Sequence, residues 1–206
     1  MNDCPGVTVT TKNTAAFDRK MTMTPRERVL AALNHIEPDR VPIDLSGHRS
    51  SGIAAMAYPK LRKCLGLPPK PVRVYDVIQQ LAVVDEDVLD RFDVDCIEMG
   101  RGFARADDSW KPWVLPDGTD CLIPAWTKME RRSDRWVMLS DSGRVIAHMP
   151  DGTLYFEQMY FPLAESGDDE ALADAFGECM WTGVAAPPGP VDAETLRKGA
   201  QRFRKA

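Results

Sequence analysis

A capped helix that leads through a tight turn into a short apolar strand constrains this chain more than any other feature. Thr24 and Glu27 have the spacing of a capping box, in which the two side chains satisfy free N–H groups of the first turn. Pro25 stands at the first helical position, where its missing N–H costs nothing. Asn34 and Pro38 are expected to end the helix. Its apolar stripe, at spacings typical of a helix, consists of Val29, Leu30 and Leu33.

The strand predicted over residues 41–45 leads directly into a polar, glycine-bearing loop, SGHRSSG, at residues 46–52. A proline near the entry of a strand, as at Pro42, is tolerated there. The strand and loop carry a carboxylate, hydroxyls and an imidazole. In α/β proteins the catalytic and binding residues lie at the carboxyl ends of strands, so a functional site is expected at this strand end and loop.

The composition of the 206-residue chain is ordinary for a soluble globular domain, with 44% hydrophobic and 28% charged residues. The net charge of −5 disfavours a nucleic-acid binder, which usually carries a basic surplus. No apolar run is long enough to span a membrane, and the N-terminus lacks the apolar segment of a secretory signal. The five cysteines are widely spaced and form no CxxC pair, so a reducing, cytoplasmic location is expected.

The remaining pattern divides the chain into a tail and one folded unit. Residues 1–20 are polar and aperiodic, which predicts a disordered tail, and residues 21–206 are expected to form the domain. Helices are predicted over residues 53–65, with a kink or break at Pro59 and an end at Gly66, and over 77–83 and 85–92. Strands are predicted over 72–76 and 94–99. Glycine turns predict an inserted β-meander over about 110–156, with strands at 121–126, 136–139, 144–148 and 153–156.

Four stretches, taken in order, resemble the uroporphyrinogen decarboxylase superfamily over roughly residues 21–205. The first two are MTPRERVLAALNHIEPDRVPIDLSG and SSGIAAMAYPKLRKCLGLPPKPVRVYDVIQQLAVVDEDVLDRFDVD. The other two are WKPWVLPDGTDCLIP and MPDGTLYFEQMYFPLAE, and they look more like the relatives that serve corrinoid-dependent methyl transfer. The resemblance implies a (β/α)₈ barrel. Such a barrel needs about 250 residues, so this α/β chain is expected to be a truncated N-terminal part of one, with the meander inserted.

The resemblance also implies zinc and a corrinoid partner for the complete family fold. In the methyltransferase relatives a His-x-Cys pair and a distant Cys, on later barrel strands, hold a zinc that activates a thiol. This chain has no His-x-Cys sequence, so no metal ligand is assigned to it and no cofactor is expected in this part of the fold. Its expected partners are a small molecule or a corrinoid protein, and a second chain that completes the barrel.

Candidate site residues come from the predicted strand ends. His48 is a candidate ligand contact or proton donor, with a histidine bonded to the loop backbone as the alternative. Asp44 is a candidate to orient a substrate or to pair with Arg49, or else a structural carboxylate. Ser50 and Ser51 are either helix caps or anion ligands. Tyr75 and Asp76 lie at the end of a second predicted strand.

The strand predicted over residues 94–99 leaves two alternatives open. Asp95 and Glu98 lie on opposite faces by the period of two. If the face of Glu98 points into the barrel, Glu98 and Arg101 approach the cleft; otherwise Asp95 does. The catalytic candidates are therefore Asp44, His48 and Glu98, and the substrate-binding candidates are Arg49, Ser50, Ser51, Tyr75, Asp76, Asp95 and Arg101.

Three functions compete. The first is methyl transfer that involves a corrinoid protein or a methylated small molecule, inactive in this chain alone because the zinc-bearing half is elsewhere. The second is a decarboxylase that acts on uroporphyrinogen. This function is disfavoured, because that enzyme holds the substrate carboxylates with an arginine pair and only Arg49 stands at the matching place in this chain. The third is a non-catalytic partner module, or one half of a split barrel.

Overall fold

The computed structural model describes residues 23–97 and 110–165, and beyond these only residues 167, 170–172, 175, 178–180, 193–194, 197 and 201. The tail predicted over residues 1–20 and the site candidates Glu98 and Arg101 lie outside the described residues.

The described elements form a mixed α/β protein with two small sheets. The helices are α1 (Pro25–Leu33), α2 (Tyr58–Cys64), α3 (Glu86–Arg91) and α4 (Pro162–Glu165), with a short 3₁₀ turn at Arg49–Ser51. The strands are β1 (Val72–Asp76), β2 (Leu81–Ala82), β3 (Trp110–Val114), β4 (Asp120–Pro124), β5 (Met129–Arg132), β6 (Arg135–Leu139), β7 (Val145–Pro150) and β8 (Glu157–Gln158). Within the described ranges these strands do not close into a barrel.

The first sheet has the strand order β2-β1-β4-β3, and β1 and β4 run parallel. The β3–β4 hairpin, predicted to belong to an inserted meander, instead extends the sheet of β1. The second sheet, β5-β6-β7-β8, is an antiparallel meander. The turns of the predicted meander were expected at glycines: Gly118 in the β3–β4 hairpin and Gly143 and Gly152 in the second sheet all have the positive φ that favours glycine.

One hydrophobic core joins both sheets to α2 and α3. Trp113 of β3 meets Trp136 of β6 edge-to-face, with ring centroids 6.0 Å apart, which is a favoured aromatic geometry. The two sheets are therefore packed against each other rather than independent. Fully buried members of the core include Val74, Val88, Ile123, Met138 and Ile146.

Helix α1 begins as predicted, but it turns a different face inward. The capping box of Thr24 and Glu27 is confirmed, and Asn34 is the C-cap. The predicted apolar stripe is not buried: Leu33 is 71% exposed and Leu30 39%. The buried residues of α1 are Arg28 and Ala31. Helical periodicity therefore located the helix correctly and its inner face wrongly.

The inner face of α1 is held by a network of charges. Arg28 Nε lies 2.6 Å from Asp39 Oδ1, and Nη1 of the same guanidinium bonds to Asp95. Arg40 Nη1 lies 2.6 Å from Asp95 Oδ2 and so adds a second cation to that carboxylate. The network ties α1 and the segment that follows it to residues 93–95.

Three further predictions are corrected by the structure. The strand predicted over residues 41–45 is not formed; only an isolated parallel bridge joins Asp44 to Cys96. Ile43 N–H donates to the Asp95 carboxylate and is therefore not available to a neighbouring strand. The helix over 77–83 is a turn followed by β2, because Asp76 Oδ1 accepts from the N–H groups of Ile78 and Gln79. The last meander strand is β8, which lies after the predicted residues 153–156.

Helix α2 is shorter than predicted. It begins at Tyr58, with Pro59 in its first turn, instead of at residue 53. The N–H groups of the first turn have no partner within the helix, so a proline there costs no hydrogen bond. The break predicted at Pro59 is therefore the start of the helix. Gly66 has φ 69°, and Leu67 N–H donates to Arg62 O, so the predicted glycine end is confirmed as a Schellman motif.

Two partly buried carboxylate–arginine pairs predict loss of stability in acid. The hydrogen bond from Arg28 holds the pKa of Asp39 below its ordinary range, and Arg62 does the same for Asp87. A carboxyl whose pKa is lowered by folding contributes stability that is fully present above about pH 5 and is lost as the pH falls below about 4. Denaturant titrations across this range are expected to show that decline.

Asp87→Asn removes one of these carboxylates, so the variant is expected to start from lower stability at neutral pH and to lose less in acid. The matched control is Asp90→Asn, an exposed aspartate on the same helix. Acid profiles of equal steepness in all three proteins would contradict this explanation.

Candidate functional site

Loop 46–52 folds over the carboxyl end of β1, and together they form the candidate site. We call the loop together with Asp44, Tyr75 and Asp76 the loop site. Arg49 Nε lies 3.0 Å from Asp76 Oδ2, and both side chains are largely buried. Two predicted strand ends that are far apart in sequence are thus joined by an ion pair.

Asp76 is buried and fully engaged. One carboxylate oxygen caps the turn that follows β1, and the other faces Arg49. Tyr75, the preceding residue, is also buried. Asp76 therefore fixes both the turn after β1 and the position of Arg49.

The start of the loop is a close-packed turn. Ser46 has φ 68°, a left-handed conformation that costs free energy in a residue other than glycine. Gly47 N–H donates to Asp44 Oδ1 over 2.7 Å. A Cβ on Gly47 would lie 2.4 Å from that oxygen and 3.2 Å from Cys96 Cβ. Asp44 is therefore a structural acceptor in this turn, at the point where its segment meets Cys96.

Gly47→Ala is expected to lower the free energy of unfolding by about 1–3 kcal/mol, because the added methyl group overlaps the Asp44 carboxylate. Chemical denaturation measures the change. Gly167→Ala is the control, since a Cβ there meets no atom within 4 Å. If both variants are equally stable, the close contact at Gly47 is not real.

The histidine of the loop has a defined tautomer. Ser50 N–H donates to His48 Nδ1 over 3.2 Å, and a backbone N–H can only donate. In the neutral ring the proton must therefore be on Nε2. Ser51 Oγ donates to His48 O over 2.9 Å. His48 is thus the N-cap of the 3₁₀ turn, with the Ser51 hydroxyl as its reciprocal partner, while Ser50 lies within the turn. The exposed His48 presents an N–H donor at the loop site.

Two features of the loop site were not found from the sequence. Ser46 is buried, and its Oγ has no hydrogen-bond partner in the described structure. Cys96 lies against Asp44, and burial together with the charges of Asp44 and Asp95 raises the pKa of its thiol. The thiol is therefore held protonated. Neither feature could be predicted from the local sequence, because both depend on the contact between residues 44–47 and Cys96, which lie about 50 residues apart in the chain.

Asp95 lies on the other side of its segment, away from the loop site. Its side chain is 0% exposed and contacts Arg28 and Arg40. Burial alone would raise the pKa of Asp95, but the Ile43 N–H bond and the two arginines outweigh burial, so the pKa is lowered. The structure therefore brings together Asp44, the loop and β1, and places Asp95 in the charge network of α1.

The donor set of the described residues does not fit a metal site. No group of three or more His, Cys, Asp or Glu side chains is arranged to hold a metal ion within the part of the chain the structure describes. Two cavities, of about 390 and 330 Å³, lie by the end of β3 and not at the loop site.

Comparisons with known proteins identify no relative. No protein-family model, no curated protein and no solved structure matches this chain. Of the helices in the described residues, none has the length and apolar character needed to cross a membrane. The class defined by the structure is a mixed α/β protein with a candidate site at a strand's carboxyl end.

Proposed function

We propose that this chain is the N-terminal part of a (β/α)₈ barrel of the uroporphyrinogen decarboxylase type and that it acts in methyl transfer with a corrinoid protein. The observation that carries the proposal is the ion pair of Arg49 with Asp76. The ion pair joins loop 46–52 to the carboxyl end of β1. Barrel proteins bind their substrates at the carboxyl ends of their strands. The parallel bridge of Asp44 to Cys96 supports the same arrangement.

The loop site offers donors rather than a nucleophile. His48 Nε2–H and the buried Ser46 Oγ can donate to an oxygen of a small substrate, and Arg49 supplies positive charge beside them. Asp76 holds that charge in place through its contact with Arg49. In this proposal the chain's own residues bind and orient the substrate.

The zinc and the corrinoid implied by the resemblance are assigned to other polypeptides. The described residues do not fit a zinc site, so no step through zinc is derived for this chain. Cys96 and Cys121 form no disulfide in the described part of the chain, which supports a reducing location, the cytoplasm.

An exposed apolar surface supports a second chain as partner. Leu33 of α1 and two residues that follow the helix, Ile36 and Val41, are apolar and strongly exposed. Large exposed apolar patches mark protein–protein interaction sites. We propose that a second polypeptide, which supplies the remaining barrel strands, packs on it.

The experiment is reconstitution. The chain is purified alone and together with the polypeptide encoded directly downstream, zinc is supplied, and methyl transfer from methylcobalamin to a thiol is measured. Activity is expected from the pair and not from the chain alone. A complex without activity would reject methyl transfer and favour the non-catalytic partner module.

Leu33→Glu is the interface variant and is expected to weaken the complex, because it places a charge on the apolar surface. Lys60→Glu, an exposed change on α2, is the matched control. Equal binding by both variants would show that α1 is not the interface.

A further inference from the structure

The cavity of about 330 Å³ lies between the two sheets, remote from the loop site. One wall is the chain as it leaves β3, at Val114 and Leu115. The opposite wall is Trp136 of β6 and Met149 of β7, and Leu154 in the turn after β7 stands at the rim. A cavity of this size lies at the lower end of the range of small-molecule sites, and its walls are mainly apolar, as such sites usually are.

The aromatic wall is fixed in place. Trp136 is held edge-on by Trp113, and the Arg131 guanidinium lies 6.0 Å from the centroid of its ring on another side. Met149 is buried and belongs to the common core. A ligand would therefore enter a site that is formed in advance and would lose little free energy in ordering it.

The polar groups at the rim neutralise one another. Arg131 donates to both carboxylate oxygens of Asp151, over 2.8 and 2.7 Å. Thr153 Oγ1 donates to Pro150 O over 2.7 Å. The rim therefore offers no unpaired charge to a ligand, while the indole of Trp136 favours a flat aromatic ring.

We propose that this inter-sheet cavity binds a small, uncharged aromatic molecule of about two fused rings. A peptide strand is the less suitable occupant. It would have to pair with the outer edge of β3, and Pro112 in the middle of that strand has no N–H to donate. Proline on an edge strand is a recognised obstacle to strand addition.

The test uses quinoline as the probe, at a pH above neutrality where it is uncharged, with binding followed by saturation-transfer NMR and by Trp fluorescence. Saturable binding to the full chain is expected. 2-Naphthoate, similar in shape but anionic, is expected to bind about tenfold more weakly. Absence of saturation by quinoline, or equal binding of both probes, would overturn the proposal.

Two exposed neighbours supply matched variants. Leu154 and Tyr155 are each 46% exposed, but only Leu154 lines the cavity. Leu154→Asp is expected to weaken quinoline binding about tenfold, and Tyr155→Asp less than about twofold. Because both positions are on the surface, both variants are expected to keep the wild-type circular dichroism spectrum. Equal effects of the two changes, or none from Leu154→Asp, would contradict binding in this cavity.

Discussion

Asp95→Asn is expected to lower the free energy of unfolding by about 3–5 kcal/mol, the range measured when one partner of a buried charge pair is removed. The side chain is inaccessible to solvent and contacts Arg28 and Arg40. Asparagine keeps the volume and still accepts from Ile43 N–H, so the loss comes from the charge. Urea denaturation measures it, and faster amide exchange at Cys96 is expected to accompany it.

The matched control for Asp95 is the neighbouring aspartate that shares an arginine with it. Asp93 pairs with Arg40, but its side chain is 77% exposed. Asp93→Asn is expected to cost less than about 1 kcal/mol, since exposed ion pairs contribute little. Similar losses in the two variants would mean that burial does not decide the strength of this network. In that case α1 would not be anchored as described.

Arg62→Ala is expected to cost about 3 kcal/mol, the second large effect. The side chain is 2% exposed. Its guanidinium donates to both carboxylate oxygens of Asp87, at 2.8 and 2.9 Å, and over 2.7 Å to Pro68 O. Removing it takes a donor away from Asp87, Asp85 and Pro68 O at the contact between α2 and α3, and among the described residues only Lys70 remains paired with Asp87. Thermal and chemical denaturation both measure the loss.

Lys63→Ala provides the comparison for Arg62, because Lys63 is the next residue on α2 and is exposed. It is expected to change stability by no more than about 0.5 kcal/mol. A phenol titration of Tyr58 gives a second readout: burial raises its pKa to about 12. A cost below about 1 kcal/mol for Arg62→Ala would contradict the structural role given to this cluster.

Local signals predicted the boundaries that local contacts decide. The capping box at Thr24, the glycine end at Gly66 and the strand β1 each depend on residues close in sequence, and all three are confirmed. The buried face of α1 could not be predicted, because Arg28 is drawn inward by Asp95, which lies 67 residues away. Hydrophobic periodicity carries no information about such a partner.

The candidate site was predicted as positions rather than as contacts. Strand-end reasoning selected Asp44, the loop and Asp76. In the structure Arg49 of the loop pairs with Asp76 and not with Asp44, which instead accepts from Gly47 N–H. Strand-end reasoning could not show that Asp76 would end β1 with a turn in place of the expected helix. The buried Ser46 and the contact with Cys96 also depend on tertiary packing. The cavity at Trp136 requires two sheets to meet, which no single segment indicates.

A substrate site at the loop site is tested most directly by steady-state methyl transfer by the reconstituted pair of chains carrying Arg49→Met. The control is Arg91→Met, which replaces an exposed arginine of α3. Arg49→Met is expected to lower kcat/KM by about a hundredfold, with kcat and KM resolved separately, and Arg91→Met is expected to leave it unchanged. Equal kcat/KM in both variants, with melting temperatures that match the wild type, would contradict a substrate site at the loop and β1.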